Sequence, residues 1–341
     1  MQLFSSLPLL LNVLVFVALT GAVWIAGSRL SHLADAIGER TRVGGALMGL
    51  LFLAGITELP ELVTTLTASL KGDAALALNN MFGGIVMQTA ILAVADAAVF
   101  HATLTTLPRR PTPILEGVLL ILLLTFLLGI VSVGEMPLIG GVGLGVLLLA
   151  GLYAVSILVL RAYDRRAVWT PVLPSGPGDA PARRRHGGSF AGLPLHRLLP
   201  YSAAAAAVIL VCGVLLVESA GAIAVQSGLG SSFIGVTLLA ASTSLPELST
   251  TIAAMRMGAY TMAISNIFGS NLIMVVVILP AELSYREGQI LGEADDVAQL
   301  ALLAGIFVTA IYVAGLLLRK KWRILGMGAD SILVLGVYLA T

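Results

Sequence analysis

The chain has 341 residues, of which 58% are hydrophobic and only 11% charged, and its mean hydropathy is +1.01. A soluble domain carries about 25% charged residues, so most of this chain must lie in lipid. A net charge of +1 gives no reason to expect a nucleic-acid partner, and the single cysteine, Cys212, excludes an internal disulfide framework.

A hydrocarbon core about 30 Å thick needs roughly 20 apolar residues per helix. Ten stretches meet that need: Leu7–Ala26, Val43–Leu70, Ala74–Phe100, Ile114–Val133, Pro137–Leu160, Leu199–Val217, Ser231–Met255, Thr261–Leu283, Val297–Leu318 and Ile324–Leu339. No basic residue precedes the first run and Arg29 follows it, the reverse of a cleaved signal peptide. It reads as the first retained span. Arg29 to Arg42 is too polar to cross and reads as an amphipathic surface connector. The third and eighth spans are less apolar than the rest.

One linker, residues 161–200, holds seven arginines and a Pro/Gly/Ser-rich middle. Such a composition cannot bury enough apolar area to fold alone, so it reads as a disordered loop rather than a binding surface. It divides the chain into a first half, residues 1–160, and a second half, residues 201–341. If the linker is cytoplasmic, 17 of the 19 Lys and Arg residues fall on that side and only Lys71 and Arg286 fall outside. Cytoplasmic loops carry such an excess, and the rule fixes the orientation. Both termini are then external. An odd number of spans per half makes the two halves enter the membrane from opposite faces. The fold class is therefore all-α: a polytopic membrane protein of ten transmembrane helices, arranged as two inverted five-helix repeats.

The second span holds Gly55-Ile56-Thr57-Glu58-Leu59-Pro60-Glu61-Leu62, two carboxylates and a proline at membrane depth. Ionisable groups there are costly and mark function by default. The pattern returns 186 residues later as Ala241-Ser242-Thr243-Ser244-Leu245-Pro246-Glu247-Leu248. At that offset Thr57 meets Thr243, Pro60 meets Pro246 and Glu61 meets Glu247. Further on, Thr65 meets Thr251, Gly72 meets Gly258, Asn80 meets Asn266 and Phe82-Gly83 meets Phe268-Gly269. Shared apolar composition does not produce paired Pro-Glu, Asn and Phe-Gly. Broken helices at corresponding places in two halves point to a transporter binding site.

Glu61 and Glu247 are the first candidates for cation ligands, since two carboxylates brought together repel unless a cation or protons lie between them. Thr57 and Thr243 lie about one turn before them. Ser244 and Ser270 are further hydroxyl candidates. Asn80 and Asn266 are either site amides or helix–helix glue. Asp96 and Glu282, also matched by offset, are expected near span ends in water. The four histidines show no metal-ligand spacing, and no phosphate-binding loop is present. No enzyme constellation and no cofactor are expected.

The paired Leu-Pro-Glu segments, each followed by a Gly-containing turn and an Asn-x-Phe-Gly element, resemble the two alpha repeats of the sodium/calcium exchanger family, within the calcium/cation antiporter superfamily. The resemblance implies that Glu61 and Glu247 are the central Ca²⁺ and Na⁺ ligands, with oxygens added by Thr57, Thr243, Ser244 and Ser270. The first repeat departs from the pattern. Glu58 stands where a serine is expected, Gly84 stands for a second serine, and Gln88 occupies the amide position. In the second repeat Met274 stands where an Asn or Asp is expected.

These readings converge on an integral, multi-pass protein of a prokaryotic cell (inner) membrane with a cytoplasmic central loop. It would exchange Ca²⁺ for Na⁺ or H⁺ around a midplane carboxylate site, with these cations as substrates and lipid and inorganic cations as its partners. Two alternatives stay open: a proton-coupled exchanger of another cation, and a non-transporting protein that kept the scaffold. For coupling to protons, with Ca²⁺ or with another cation, Glu58 would replace the acid absent at Met274 and share a helix face with Glu61, where like charges disfavour joint ionisation. A vestibule position for Glu58, facing water, is the competing expectation.

Overall fold

The computed structural model describes residues 2–97, 102–138, 142–166, 190, 192–228, 242–324 and 326–341. After a short turn of helix at Gln2–Ser5, the helices are α1 (Leu9–Thr41), α2 (Gly45–Thr57), α3 (Leu59–Leu70), α4 (Ala74–Ala97), α5 (Thr112–Val133), α6 (Leu144–Arg166), α7 (Leu195–Gln226), α8 (Leu245–Arg256), α9 (Tyr260–Ser284), α10 (Asp296–Leu318) and α11 (Ala329–Ala340). A two-residue hairpin, β1 (Arg323–Ile324) and β2 (Met327–Gly328), precedes α11. Among the described residues, seven helices are long and apolar enough to cross a membrane. The pair α2–α3, bent by 49°, meets the same length and composition as one broken span, and α11 is a shorter apolar helix. Of the expected span Ser231–Met255, the part before residue 242 lies outside the described residues, as does the middle of the linker, residues 167–189.

The core helices are α4 and α9, whose apolar windows are the most enclosed of the spans. That accounts for their lower hydropathy: a helix surrounded by protein need not be apolar on every face. α9 buries Ser265, Asn266, Ser270, Asn271 and Met274 together. It is joined to α4 by the Asn271 amide, which donates to Thr89 Oγ1 at 3.0 Å.

α1 and α7 pair along one another at the flank. Near one end, the buried Asn12 donates to Phe4 O and to Gln226 Oε1, both at 2.8 Å. The presumed surface connector is a correction to the sequence reading. Arg29 to Thr41 continues α1 without a break and buries Leu30, Ser31, Leu33, Ala34, Ala36, Ile37 and Gly38. Its polar residues face outward while its small and apolar ones pack inward, a pattern that hydropathy alone reads as surface.

The internal repeat is visible in the backbone. Gly72 and Gly258 close the helices after the two Pro-Glu segments with φ of 75° and 76°. Left-handed residues of this kind close helices and favour glycine, which has no Cβ to clash. The same carbonyls are reached on both sides: Asp73 N donates to Ala68 O at 3.0 Å, and Ala259 N to Ala254 O at 2.9 Å. The asparagines also repeat. Asn80 Nδ2 donates to Thr65 Oγ1 at 3.1 Å, and Asn266 Nδ2 to Thr251 Oγ1 at 3.2 Å and to Thr250 Oγ1 at 3.0 Å. The Nδ2 groups of both amides thus join the core helices to the broken ones, while the Asn266 carbonyl is buried with no partner among the described residues.

Asp96 and Glu282 overturn the expectation of water. Both stand in the last turn of their helices, α4 and α9, yet they are only 1% and 3% exposed. Asp96 accepts from Leu104 N at 2.5 Å, Gly328 N at 2.6 Å and Ser331 Oγ at 2.8 Å. Glu282 accepts from Ile290 N at 2.9 Å and Gly143 N at 3.1 Å. In each case one donor opens the short 3₁₀ turn that follows the same helix. The backbone donor in the opposite half belongs in each case to an antiparallel bridge: Gly328 of the β1–β2 hairpin before α11, or Gly143 paired with Pro137 before α6, while Ser331 lies in the first turn of α11. The helix α10 begins just after the Glu282 turn. It ends at Arg319, whose guanidinium donates to the Thr106 and Pro108 carbonyls beside the Asp96 turn. The two carboxylates thus lie at opposite ends of a 23-residue helix, about 35 Å long.

Candidate functional site

Each broken helix starts again at a Leu-Pro-Glu. Pro60 and Pro246 take the first turns of α3 and α8, where a missing N–H costs nothing because those donors have no partner within the helix. The residues at the two breaks, Glu58 and Ser244, are their N-caps. The acidic residue one position after each proline then lies in the first helical turn, where the helix dipole favours negative charge.

Close approach of the flanking helices holds these turns in place. A Cβ on Gly213 of α7 would meet the Pro60 ring at 2.7 Å, and one on Gly27 of α1 would meet Ser249 Cβ at 3.1 Å. Gly27 and Gly213 are themselves 186 residues apart. Sequence reasoning passed over this pair, although the offset that aligned the Pro-Glu motifs also aligns it.

Glu61 is 3% exposed and Glu247 is 0% exposed. None of their four carboxylate oxygens has a hydrogen-bond partner among the described residues. The Glu61, Glu247 and Glu58 carboxyl groups lie within electrostatic reach of one another. Thr57, fully buried, lies beside Glu247.

Glu58 is 2% exposed, which overturns the vestibule reading. Its Oε1 accepts from Gln88 Nε2 at 2.6 Å, and its Oε2 has no partner among the described residues. Ser270 on α9 flanks Glu58 with its hydroxyl unpartnered, and the Gln88 carbonyl is unpartnered too. Ser244 is buried and Thr243 half-buried at the second break. The two helix breaks therefore bring Glu58, Glu61, Glu247, Thr57, Gln88 and Ser270 to one buried region. Ser244 and Thr243 stand one turn from Glu247 along the chain.

Buried polar atoms are nearly always hydrogen-bonded, and an unpaired buried carboxylate is especially costly. Here unpaired acceptors gather in one place, and the only amide donor among them is spent on Glu58. Three carboxylates with nearby hydroxyls, and no Lys, Arg or His among the buried described residues, are suited to a cation or protons. Among the described residues no three Asp, Glu, His or Cys side chains form a compact metal-holding cluster, so hydroxyl, amide and backbone oxygens would have to complete any coordination shell.

The family model for the sodium/calcium exchanger protein matches residues 11–160 and 198–341. Among curated relatives, the "Putative antiporter CaxA" of Alkalimonas amylolytica is 26% identical over 273 residues, covering 80% of this chain and 79% of its own. The inner membrane protein YrbG of Escherichia coli (strain K12) is 28% identical over 303 residues, 88% of each chain. Among solved structures, the sodium-calcium exchanger NCX_Mj soaked with 100 mM Na⁺ and 10 mM Sr²⁺ superposes with a TM-score of 0.73 at 17% identity, over 98% of both chains. The same exchanger soaked with 10 mM Na⁺ and zero Ca²⁺ gives 0.72 at 17% identity. The fold is shared across its whole length, and two separated matches flank the linker. The chain belongs to the sodium/calcium exchanger family and is a multi-pass membrane cation antiporter.

Proposed function

We propose that this antiporter exchanges Ca²⁺ against Na⁺ or H⁺ by alternating access around a site near the membrane midplane, with Glu61 and Glu247 as the central ligands. The observation that carries this reading is the pair of buried glutamates whose four oxygens meet no donor among the described residues. Hard divalent cations take several oxygen ligands, and two carboxylates with Thr57, Ser270, Gln88, Thr243 and Ser244 nearby offer that chemistry. The cations are substrates, and no resident cofactor is required.

Ten spans in two inverted five-helix halves are the architecture that suits this reading. The matched Asp96 and Glu282 turns at opposite ends of α10 support the inversion. The partition of basic residues supports a cytoplasmic linker, and the likeness to an inner membrane protein of Escherichia coli supports a prokaryotic inner membrane.

One observation favours a second reading, coupling to protons. Glu58 supplies a third buried carboxylate, while Met274 fills the position where the family pattern has an Asn or Asp. A thioether is a poor partner for a hard cation. The scaffold-only reading is disfavoured by the same unpartnered oxygens, which a protein without a ligand would have no reason to keep buried.

The test is ion flux in proteoliposomes under separate Na⁺ and H⁺ gradients. Glu61→Gln and Glu247→Gln should each abolish ion-dependent transport while the protein remains inserted and elutes as the wild type does. Wild-type rates in both variants would falsify the assignment of the two glutamates.

A further inference from the structure

A second buried carboxylate site lies away from the central glutamates, beside the start of the broken helix. Glu116, one turn into α5, is 0% exposed. Its Oε2 accepts from Ser265 Oγ of α9 at 2.7 Å, and its Oε1 is buried with no hydrogen-bond partner among the described residues. Thr112, one turn earlier on the same face of α5, donates through Oγ1 to Asp164 Oδ1 of α6 at 3.3 Å. The same oxygen meets the Arg110 guanidinium at 3.4 Å. Asp164 is 5% exposed in its side chain and Arg110 is 47% exposed, so Arg110 forms the outer wall of the cluster. The Asp164 carboxylate also covers Gly44, the N-cap of α2, so closely that a Cβ there would collide with it.

The groups that face Glu116 can be named by element. From α6 comes Asp164, the charge within electrostatic reach, and from the connection before α5 comes Arg110. The start of α2, Gly44 to Leu53, carries no ionisable residue. On α9 the facing residue is Ser265, which does not titrate near neutrality. On α10 the titratable residue near this level is Tyr312, packed edge-on against Phe268. Next to it, Val313 meets Gly117.

Charge counting then decides what the cluster holds. Two carboxylates and one guanidinium leave one uncompensated negative charge among the described side chains when both acids are ionised. Asp164 has the cation, a hydroxyl and a route to water through Arg110. Glu116 has one hydroxyl and a bare oxygen. A buried, uncompensated charge is far more costly than a neutral acid, so one bound proton completes the cluster.

We propose that Glu116, with Asp164 and Arg110, forms a proton-binding site separate from the central carboxylates and reached from the face that carries Arg110. The proton resides on Glu116 and exchanges past Thr112 and Asp164. Ser265, the donor to Glu116, packs its Cβ against the space over Gly49 in the π-helical turn Met48–Leu53 of α2. Loss of the proton therefore places a new charge on the far side of Ser265 from that turn. Glu116 has no equivalent at the 186-residue offset, where the residue is Leu302, so this site belongs to the first half alone.

Infrared difference spectra of the full-length protein in lipid, titrated with pH, test the site without requiring transport. The expected result is a protonated-carboxyl C=O band in the wild type that Glu116→Gln removes. Asp164→Asn, which takes away the neighbouring negative charge, should move the titration midpoint of that band to lower pH by about one unit. Ser265→Ala, which removes a donor to the ionised form, should move it to higher pH. If Glu116→Gln leaves the band intact, or if the two neighbouring variants fail to shift its midpoint in opposite directions, the site does not exist as described. Because the readout is a carboxyl band, failure of the antiport reading would leave this result unaffected.

Discussion

Met274 of α9 lays the end of its side chain over Gly84 of α4: a Cβ on Gly84 would lie 3.1 Å from Met274 Cε. The absence of a side chain at Gly84 leaves room on α4 for the long apolar side chain of Met274. Met274 is fully buried, so this flank of the site is sealed by a thioether.

The obstacle at Gly84 is the free end of an unbranched, adaptable side chain. Gly84→Ala should therefore cost less than about 1 kcal/mol. Gly269→Ala meets something rigid: Leu50 Cα at 2.5 Å, its carbonyl oxygen at 2.7 Å and its carbonyl carbon at 3.0 Å. That substitution must displace the π-helical turn, and overpacking of this kind costs about 1–3 kcal/mol or more. Thermal unfolding of both variants in one detergent checks the order, which reverses if Met274 is immobile.

Glu58 is expected to tie transport to protons. With sodium absent and a pH gradient imposed, the wild type should move its cation, and Glu58→Ser should lose at least 10-fold of that flux, equivalent to about 1.4 kcal/mol or more. Sodium-driven flux should suffer less. Strict sodium dependence in the wild type, or equal proton-driven flux in Glu58→Ser, contradicts this expectation.

Asp96 satisfies three donors and Glu282 two. A buried donor left without its acceptor costs about 1–3 kcal/mol. Asp96→Ala should thus lower the unfolding temperature more than Glu282→Ala does, and Asp96→Asn, which keeps one acceptor oxygen, should fall between Asp96→Ala and the wild type. Unfolding midpoints read by tryptophan fluorescence settle the ranking. Equal, near-zero shifts would mean that water replaces the lost carboxylates.

The inverted plan makes a prediction about sidedness. Single cysteines introduced as Ser175→Cys and Gly288→Cys, in a Cys212→Ala background, should react with an impermeant thiol reagent from opposite sides of sealed vesicles. Reaction of both from one side breaks the ten-span arrangement.

Much of the site was legible in the chain because a repeat is a comparison of the protein with itself. The 186-residue offset located Glu61 with Glu247 and Gly72 with Gly258, and the structure gives the two glycines the same left-handed backbone. It also matched Asn80 with Asn266, whose role as glue needed coordinates. Hydropathy failed where burial is by protein rather than by lipid. Asp96 and Glu282 read as span ends in water because sequence shows that a carboxylate is near a helix end, not that a distant hairpin supplies its donors. Glu116 drew no notice for a related reason: its partners, Ser265 and the Asp164 cluster, come from α9 and α6, and no repeat marks it. The α1 extension to Thr41 was missed because its buried face is made of Ala, Gly and Ser as much as Leu.

The crossed attachment of Asp96 and Glu282 ties the two halves together. Each half ends its third long segment with an acid that takes one donor from its own half and the rest from the other: Gly328 and Ser331 for Asp96, Gly143 for Glu282. A polypeptide that stopped after residue 166 would keep Asp96 and Gly143 but could not join them as the present chain joins each to its counterpart. It would have to borrow the missing donors from a second molecule of itself. The two halves therefore depend on each other for part of each carboxylate's set of donors, as the two members of a homodimer would.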